Sequence, residues 1–67
     1  MNAFKNNATY IHKIVKANQF LFLEQMLMQG LGYNDYVHLF IEVDKYGNAI
    51  EGTRLFFNNK GERIFED

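Results

Sequence analysis

A run of alternating residues in the middle of the chain places the strongest constraint on its fold. Between residues 36 and 44 every second position holds a branched apolar side chain, namely Val37, Leu39, Ile41 and Val43. A period of two predicts a β-strand that buries one of its faces. Phe40 lies on the opposite face, so we expect that face to contact apolar groups as well.

Turn residues divide the second half of the chain into three predicted strands. Residues 45–48 follow the first strand and predict a hairpin turn, because Gly47 and Asn48 tolerate a positive φ. The second strand is predicted over residues 49–57, with a bulge at Gly52. Residues 58–61 form a second turn signal, and residues 62–66 form a third strand that is short and charged. The order predicts a three-stranded antiparallel meander with the third strand at an edge.

The first part of the chain, residues 4–29, is predicted to be helical. Ala, Leu, Met, Gln, Glu and Lys are frequent there, Pro is absent, and no Gly precedes Gly30. An apolar stripe at helical spacing covers the first half of this segment, and it consists of Phe4, Ala8, Ile11, Ile14 and Val15. The stripe does not continue past Asn18, so we expect the helix to bend or split there. A strand over residues 19–28 is the alternative. Gly30 is expected to end the helix, with Leu31 folding back on the last turn.

These elements predict a single α+β domain over residues 1–67, in which the N-terminal helix packs on the three-stranded meander. A core of this size stabilises a chain by only a few kcal/mol, whereas 48% of the residues are hydrophobic. One helix covers only one face of a sheet. We therefore expect surplus apolar surface that a second copy or another protein covers.

Aromatic residues on the uncovered sheet face are the predicted contact surface. Phe56 and Phe57 are adjacent in a strand, so their rings point to opposite faces. The residues expected on the contact surface are Tyr33, Tyr36, Phe40, Tyr46 and Phe57. The apolar second half of the helix is expected to add to it. This pattern predicts a protein–protein interaction module, such as an inhibitor or accessory protein of a bacterial or phage system, that forms a homodimer or binds another protein.

An uneven distribution of charge indicates a nucleic-acid-binding regulator as an alternative. Residues 1–18 carry Lys5, Lys13 and Lys16 and no acid, whereas residues 19–67 carry eight acids against four bases. On a helix these lysines would contact phosphates, and Tyr10 would stack on a base. Arginine, the usual base reader, is missing from this group, and the acidic remainder of the chain would repel a nucleic acid backbone.

A second alternative is a compact ribonuclease or other hydrolase that uses His38 and Glu42. These residues lie four apart in a predicted strand and so share a face. Together with His12 they would form a metal site or a general acid–base pair, but nothing in the sequence places His12 near them. The chain also contains no Ser and no Cys, the commonest nucleophiles. We accordingly expect no enzymatic activity, no metal and no cofactor.

The apolar segments are too short for a membrane-spanning helix, which needs about 20 consecutive apolar residues. Glu24 and Gln25 interrupt the apolar run that a signal peptide requires. The absence of cysteine is typical of reducing compartments. These features predict a cytoplasmic protein that does not enter a membrane.

Overall fold

The computed structural model describes residues 4–20 and 23–65, and these form a four-stranded antiparallel sheet with one short α-helix. The strands lie side by side in chain order. They are β1 (Thr9–Lys16), β2 (Tyr36–Val43), β3 (Leu55–Phe57) and β4 (Arg63–Ile64). A 3-10 turn at Ala17–Gln19 and the helix α1 (Leu23–Met28) lie in the connection between β1 and β2.

The predicted N-terminal helix is wrong over its first half, because Thr9–Lys16 is a strand that pairs with β2 along its whole length. β-branched and aromatic residues are concentrated in this segment, and these residue types favour strands. The stripe at helical spacing is therefore divided between two faces, with Ile14 on one and Ile11 and Val15 on the other. The architecture is a four-stranded meander with a helix between its first two strands, not an N-terminal helix on a three-stranded meander.

The second half of the predicted helix is partly retained as α1, and the chain breaks at Ala17–Gln19, next to the predicted split. Gly30 ends the helix with a φ of 77°. Its N–H donates to the carbonyl of Leu27 at 3.1 Å, and the N–H of Leu31 donates to the carbonyl of Met26 at 2.8 Å. These two bonds form a Schellman motif, which satisfies carbonyls at the helix end. The predicted helix stop at Gly30 is confirmed.

The hydrophobic core lies on one face of the sheet. Its buried members are Val37 and Leu39 of β2, Phe56 of β3 and Ile64 of β4. Phe20, Leu31 and Phe65 are among the partly buried residues that pack against this cluster from the connecting segments. The predicted burial of one face of β2 is confirmed for Val37, Leu39 and Val43, which are buried, whereas Ile41 is half-buried.

Two turns with the same side-chain to backbone hydrogen bonds connect the strands of the sheet. The side-chain Oδ1 of Asp44 accepts hydrogen bonds from the backbone N–H groups two and four residues later, both at 2.9 Å. Asn58 makes the same two bonds at the same distances in the turn between β3 and β4. In each turn the glycine three residues after the Asp or Asn, Gly47 or Gly61, has a positive φ. Both turn predictions are confirmed, and the side chains explain the residue choice.

The second predicted strand, residues 49–57, is shorter than expected, because a turn interrupts it. Gly52 adopts a φ of 80° within that turn, which is a larger break than the predicted bulge. The hydroxyl of Thr53 holds the turn against β2, since it accepts a hydrogen bond from the N–H of Glu42 at 3.1 Å and donates to the carbonyl of Ile50 at 2.6 Å. Only the last three residues form β3.

The third predicted strand, residues 62–66, is also shorter in the structure. It is observed as β4, which covers Arg63–Ile64 and pairs with β3. Glu66 lies outside the described residues, as do Leu21 and Phe22 of the predicted helix.

Two methionines of α1 provide a matched test of this packing. The Met26 side chain is 2% exposed, whereas Met28 is 82% exposed. We expect Met26→Ala to lower the free energy of unfolding by about 2–5 kcal/mol, since it leaves a cavity in a small core. Met28→Ala should change it by no more than about 0.5 kcal/mol. Urea unfolding of both variants measures these free energies. Equal effects of the two substitutions would contradict the burial of Met26 and the exposure of Met28.

Candidate functional site

The sheet face opposite the core, here called the outer face, carries most of the residues that the sequence suggested as functional. The pairing of the strands places on it Tyr10, His12, Ile14 and Lys16 of β1, Tyr36, His38, Phe40 and Glu42 of β2, and Leu55 and Phe57 of β3. This face is divided into a covered part and an open part.

Phe4 covers one part of the outer face. Its ring meets Tyr10 and Phe40 edge to face, with centroids 4.9 and 5.0 Å apart, and it stacks on Phe57 at 5.5 Å. Such contacts stabilise aromatic clusters beyond the burial of area. The expectation that only the helix covers the sheet is therefore wrong, since the segment before β1 reaches the second face. Phe40 and Phe57, two of the predicted contact residues, are half-buried beneath it.

The open part of the outer face lies along β1. Ile14 is 60% exposed and Tyr36 is 50% exposed, and they belong to successive pairs of the β1–β2 ladder on this face, Ile14 with His38 and Lys16 with Tyr36. The Nζ atom of Lys16 lies 5.9 Å from the centroid of the Tyr36 ring, within the range of a cation–π contact. This apolar surface extends to the outer edge of the sheet.

The outer edge of β1 is unpaired in the part of the chain that the structure describes, because β1 is the first strand of the sheet and pairs with β2 alone. A strand edge presents backbone N–H and C=O groups that a further strand can bind. At the other end of the sheet β4 has only two residues. The long open edge is therefore on β1.

The remaining predicted contact residues, Tyr33 and Tyr46, are exposed but lie elsewhere. Tyr33 borders an apolar groove of about 220 Å³ beside α1, together with Leu23 and Leu27. Tyr46 lies in the turn after β2. The five predicted aromatic residues are thus distributed over the covered part, the open part, the groove and a turn, and do not form one surface.

The three lysines of the nucleic-acid alternative do not share a face. That alternative assumed a helix, whereas on β1 Lys13 lies on the core side of the sheet and Lys16 lies on the outer face. Lys5 precedes the strand, and its Nζ lies 3.4 Å from Oε1 of Glu42. The predicted basic helix face is therefore not formed.

The strand pairing brings the two histidines of the chain together. Nε2 of His12 lies 2.9 Å from Nδ1 of His38, and the two rings are nearly parallel, with an angle of 20° between their planes. His12 also stacks on Phe40, with centroids 4.6 Å apart and planes 9° apart. The sequence prediction missed this pair because it placed His12 on a helix. The β-branched residues around His12 were the signal that would have placed it on a strand.

Glu42 shares the outer face with His38, as predicted, but the two make no hydrogen bond in the structure. Its Oε1 is in charge contact with Lys5 and lacks an aligned hydrogen bond. Within residues 4–20 and 23–65 no three side chains of the metal-ligating types converge. Of the three residues in the predicted acid–base or metal group, the structure therefore assembles His12 and His38 alone.

Comparisons with family models, with curated proteins and with solved structures found no match to this chain. No helix among the described residues is long and apolar enough to cross a membrane.

The covering role of Phe4 leads to a stability prediction. Phe4→Ala should lower the free energy of unfolding by roughly 1–3 kcal/mol, because three aromatic contacts are lost from a half-buried site. It should also increase the fluorescence of a hydrophobic dye, since Phe40 and Phe57 become accessible. Tyr46→Ala is the matched control, because that ring is exposed in a turn. Equal dye binding by both variants would show that Phe4 does not cover the outer face.

Proposed function

We propose that this protein is a small protein–protein interaction module that binds an extended, acidic segment of another protein along the outer edge of β1. The observation that carries the proposal is the eight-residue edge strand, to which no second strand is paired on its outer side in the described part of the chain. Strand addition to an open sheet edge is a common mode of peptide recognition.

The length of β1 supports this mode of binding. Alternate residues of a strand direct their N–H and C=O groups to the same side, so eight residues present the groups of about four residues outward. Each net hydrogen bond contributes only about 0.5–1.5 kcal/mol. Backbone pairing alone therefore leaves little affinity after the cost of association, and side chains must supply specificity.

Charge complementarity selects the partner segment. Lys13 and Lys16 are the charged residues of β1, one on each face, and the strand carries no acid. Acidic residues opposite them would stabilise a cross-strand pair. Lysine on an edge also opposes pairing with a second, identical edge, because the same positive charges would meet. An acidic segment is thus favoured over a second copy of the chain.

Exposed apolar side chains beside the edge supply the second element of recognition. Ile14 lies on the outer face of β1, Tyr36 lies on the same face of the adjacent strand β2, and Ile11 is exposed on the core side of β1. Side chains of a strand added to β1 would contact Ile14 and Ile11 directly, and long ones would reach the Tyr36 ring across β1. Tyrosine is among the residues that contribute most at interfaces. Tyr36 is therefore the member of the predicted contact group that this proposal retains.

In this role the protein acts by covering a segment of its partner, as an inhibitor or accessory protein does, and performs no catalysis. The proposal places this activity in the cytoplasm, in line with the absence of cysteine.

A pair of model peptides tests the proposal directly. We expect an octapeptide of Val and Thr with Glu at its third and sixth positions, which a strand places on opposite faces, to shift the backbone amide NMR signals of residues 9–16 in the whole chain. The matched octapeptide with Lys at both positions should not do so, because its charges oppose those of Lys13 and Lys16. The double variant Lys13→Glu, Lys16→Glu should bind the acidic peptide at least about tenfold more weakly, which corresponds to about 1.4 kcal/mol.

The control is the double variant Lys45→Glu, Lys60→Glu, which makes the same change of net charge in two turns away from β1. It should retain the affinity of the unmodified chain. Equal loss in both double variants would reduce the effect to net charge and contradict a site on β1. Signals that shift only around α1 would place binding in the Leu23–Leu27 groove instead. If light scattering shows a dimer and hydrogen exchange shows protected backbone amides in β1, the edge binds a second copy of the chain.

A further inference from the structure

We infer that His12 and His38 form a chelating site for a divalent transition metal ion such as Zn²⁺. Two side chains of the outer face would form this site, so it is independent of strand addition at the backbone edge. The supporting observation is that Nε2 of His12 lies 2.9 Å from Nδ1 of His38.

The spacing of the two nitrogens suits a shared metal ion. Imidazole nitrogens lie about 2.0–2.1 Å from Zn²⁺, so two nitrogens on one ion are roughly 2.9–3.4 Å apart for angles between a right angle and a tetrahedral one. The observed 2.9 Å is at the short end of that range. Binding therefore requires that the two rings reorient their lone pairs toward a common point, with little change in the separation of the strands.

The proton balance of the site is simple. In the metal-free pair of neutral rings one N–H lies between the two nitrogens, either on Nε2 of His12 or on Nδ1 of His38. A metal ion needs the lone pairs of both atoms. The hydrogens then reside on Nδ1 of His12 and Nε2 of His38, so two neutral rings bind the ion without a net release of protons. Protonation of either ring competes with the metal.

The surroundings hold the donors in place. β1 and β2 are paired in antiparallel register on both sides of the histidines, and Phe40 supports the His12 ring from one side at 4.6 Å. His12 is itself exposed, so an ion reaches it from solvent. Two donors that the strand pairing already keeps side by side lose less freedom on binding than two independent ones, which raises affinity.

The donor set also defines the character of the site. Imidazole binds Zn²⁺, Cu²⁺ and Ni²⁺ well. Glu42, the carboxylate on the same face, is in contact with Lys5, and the described residues contain no cluster of three ligating side chains. The ion would complete its coordination with water, as at an open site and unlike the four protein ligands of a structural zinc site.

Titration of the whole chain with ZnCl₂ alone tests the inference, because the chain contains only two histidines. We expect calorimetry to show one ion per chain. His12→Gln and His38→Gln should each weaken binding at least about tenfold, since a chelate loses its second attachment when either donor is removed. Glu42→Gln is the control from the same face, and it should retain the affinity of the unmodified chain.

Ring nitrogen NMR gives a readout that needs no variant. Zn²⁺ should shift Nε2 of His12 and Nδ1 of His38 together to the values of metal-bound nitrogens, while Nδ1 of His12 and Nε2 of His38 both show the values of protonated ring nitrogens. Three results would overturn the inference. They are two weak ions per chain with the single variants unchanged in affinity, metal-bound shifts at Nδ1 of His12 or Nε2 of His38 instead, and a loss of binding in Glu42→Gln that equals the loss in the histidine variants.

Discussion

The antiparallel pairing of β1 with β2 is the interaction on which the other features of this protein depend. It joins residues 9–16 to residues 36–43, and it brings His12 from the first part of the chain to His38. Because β1 is then the first strand of the sheet, its outer side is left as an edge. Because residues 9–16 form a strand and not a helix, the segment before them turns over the sheet, and Phe4 reaches the outer face.

The sheet divides the apolar side chains of a small protein into two clusters. The core side contains Val37, Leu39, Phe56 and Ile64, and Met26 of α1 is also buried. The outer face contains the rings around Phe4. This division accounts for the high aromatic content without a second layer of helices, because flat rings cover much area for few residues. Among the described residues, open apolar surface remains in the strip along β1 and in the groove beside α1.

Local chemistry made β2, two turns and the helix end predictable, whereas the lengths of β3 and β4 and the position of residues 9–16 were not. The alternation in β2, the turn signals at residues 45–48 and 58–61, and the stop at Gly30 each act within a few residues, and these predictions are confirmed. Residues 9–16 carry apolar and polar side chains on both faces. An edge strand is partly exposed on each face, so its sequence does not have to alternate strictly between apolar and polar residues. The helix-forming residues at 17–29 led to the prediction of one helix that included the strand-forming residues before them. The histidine pair could not be predicted for the same reason, because it forms only when β1 lies beside β2.

Cross-strand NMR distances test the pairing of β1 with β2 most directly. We expect close contacts between the backbone protons of Lys13 and Leu39 and between those of Val15 and Val37, which are opposed in the ladder. We expect no contacts of helical type, from one residue to the third or fourth along the chain, within residues 9–16. A continuous series of such helical contacts across these residues, with no contacts to β2, would contradict the pairing.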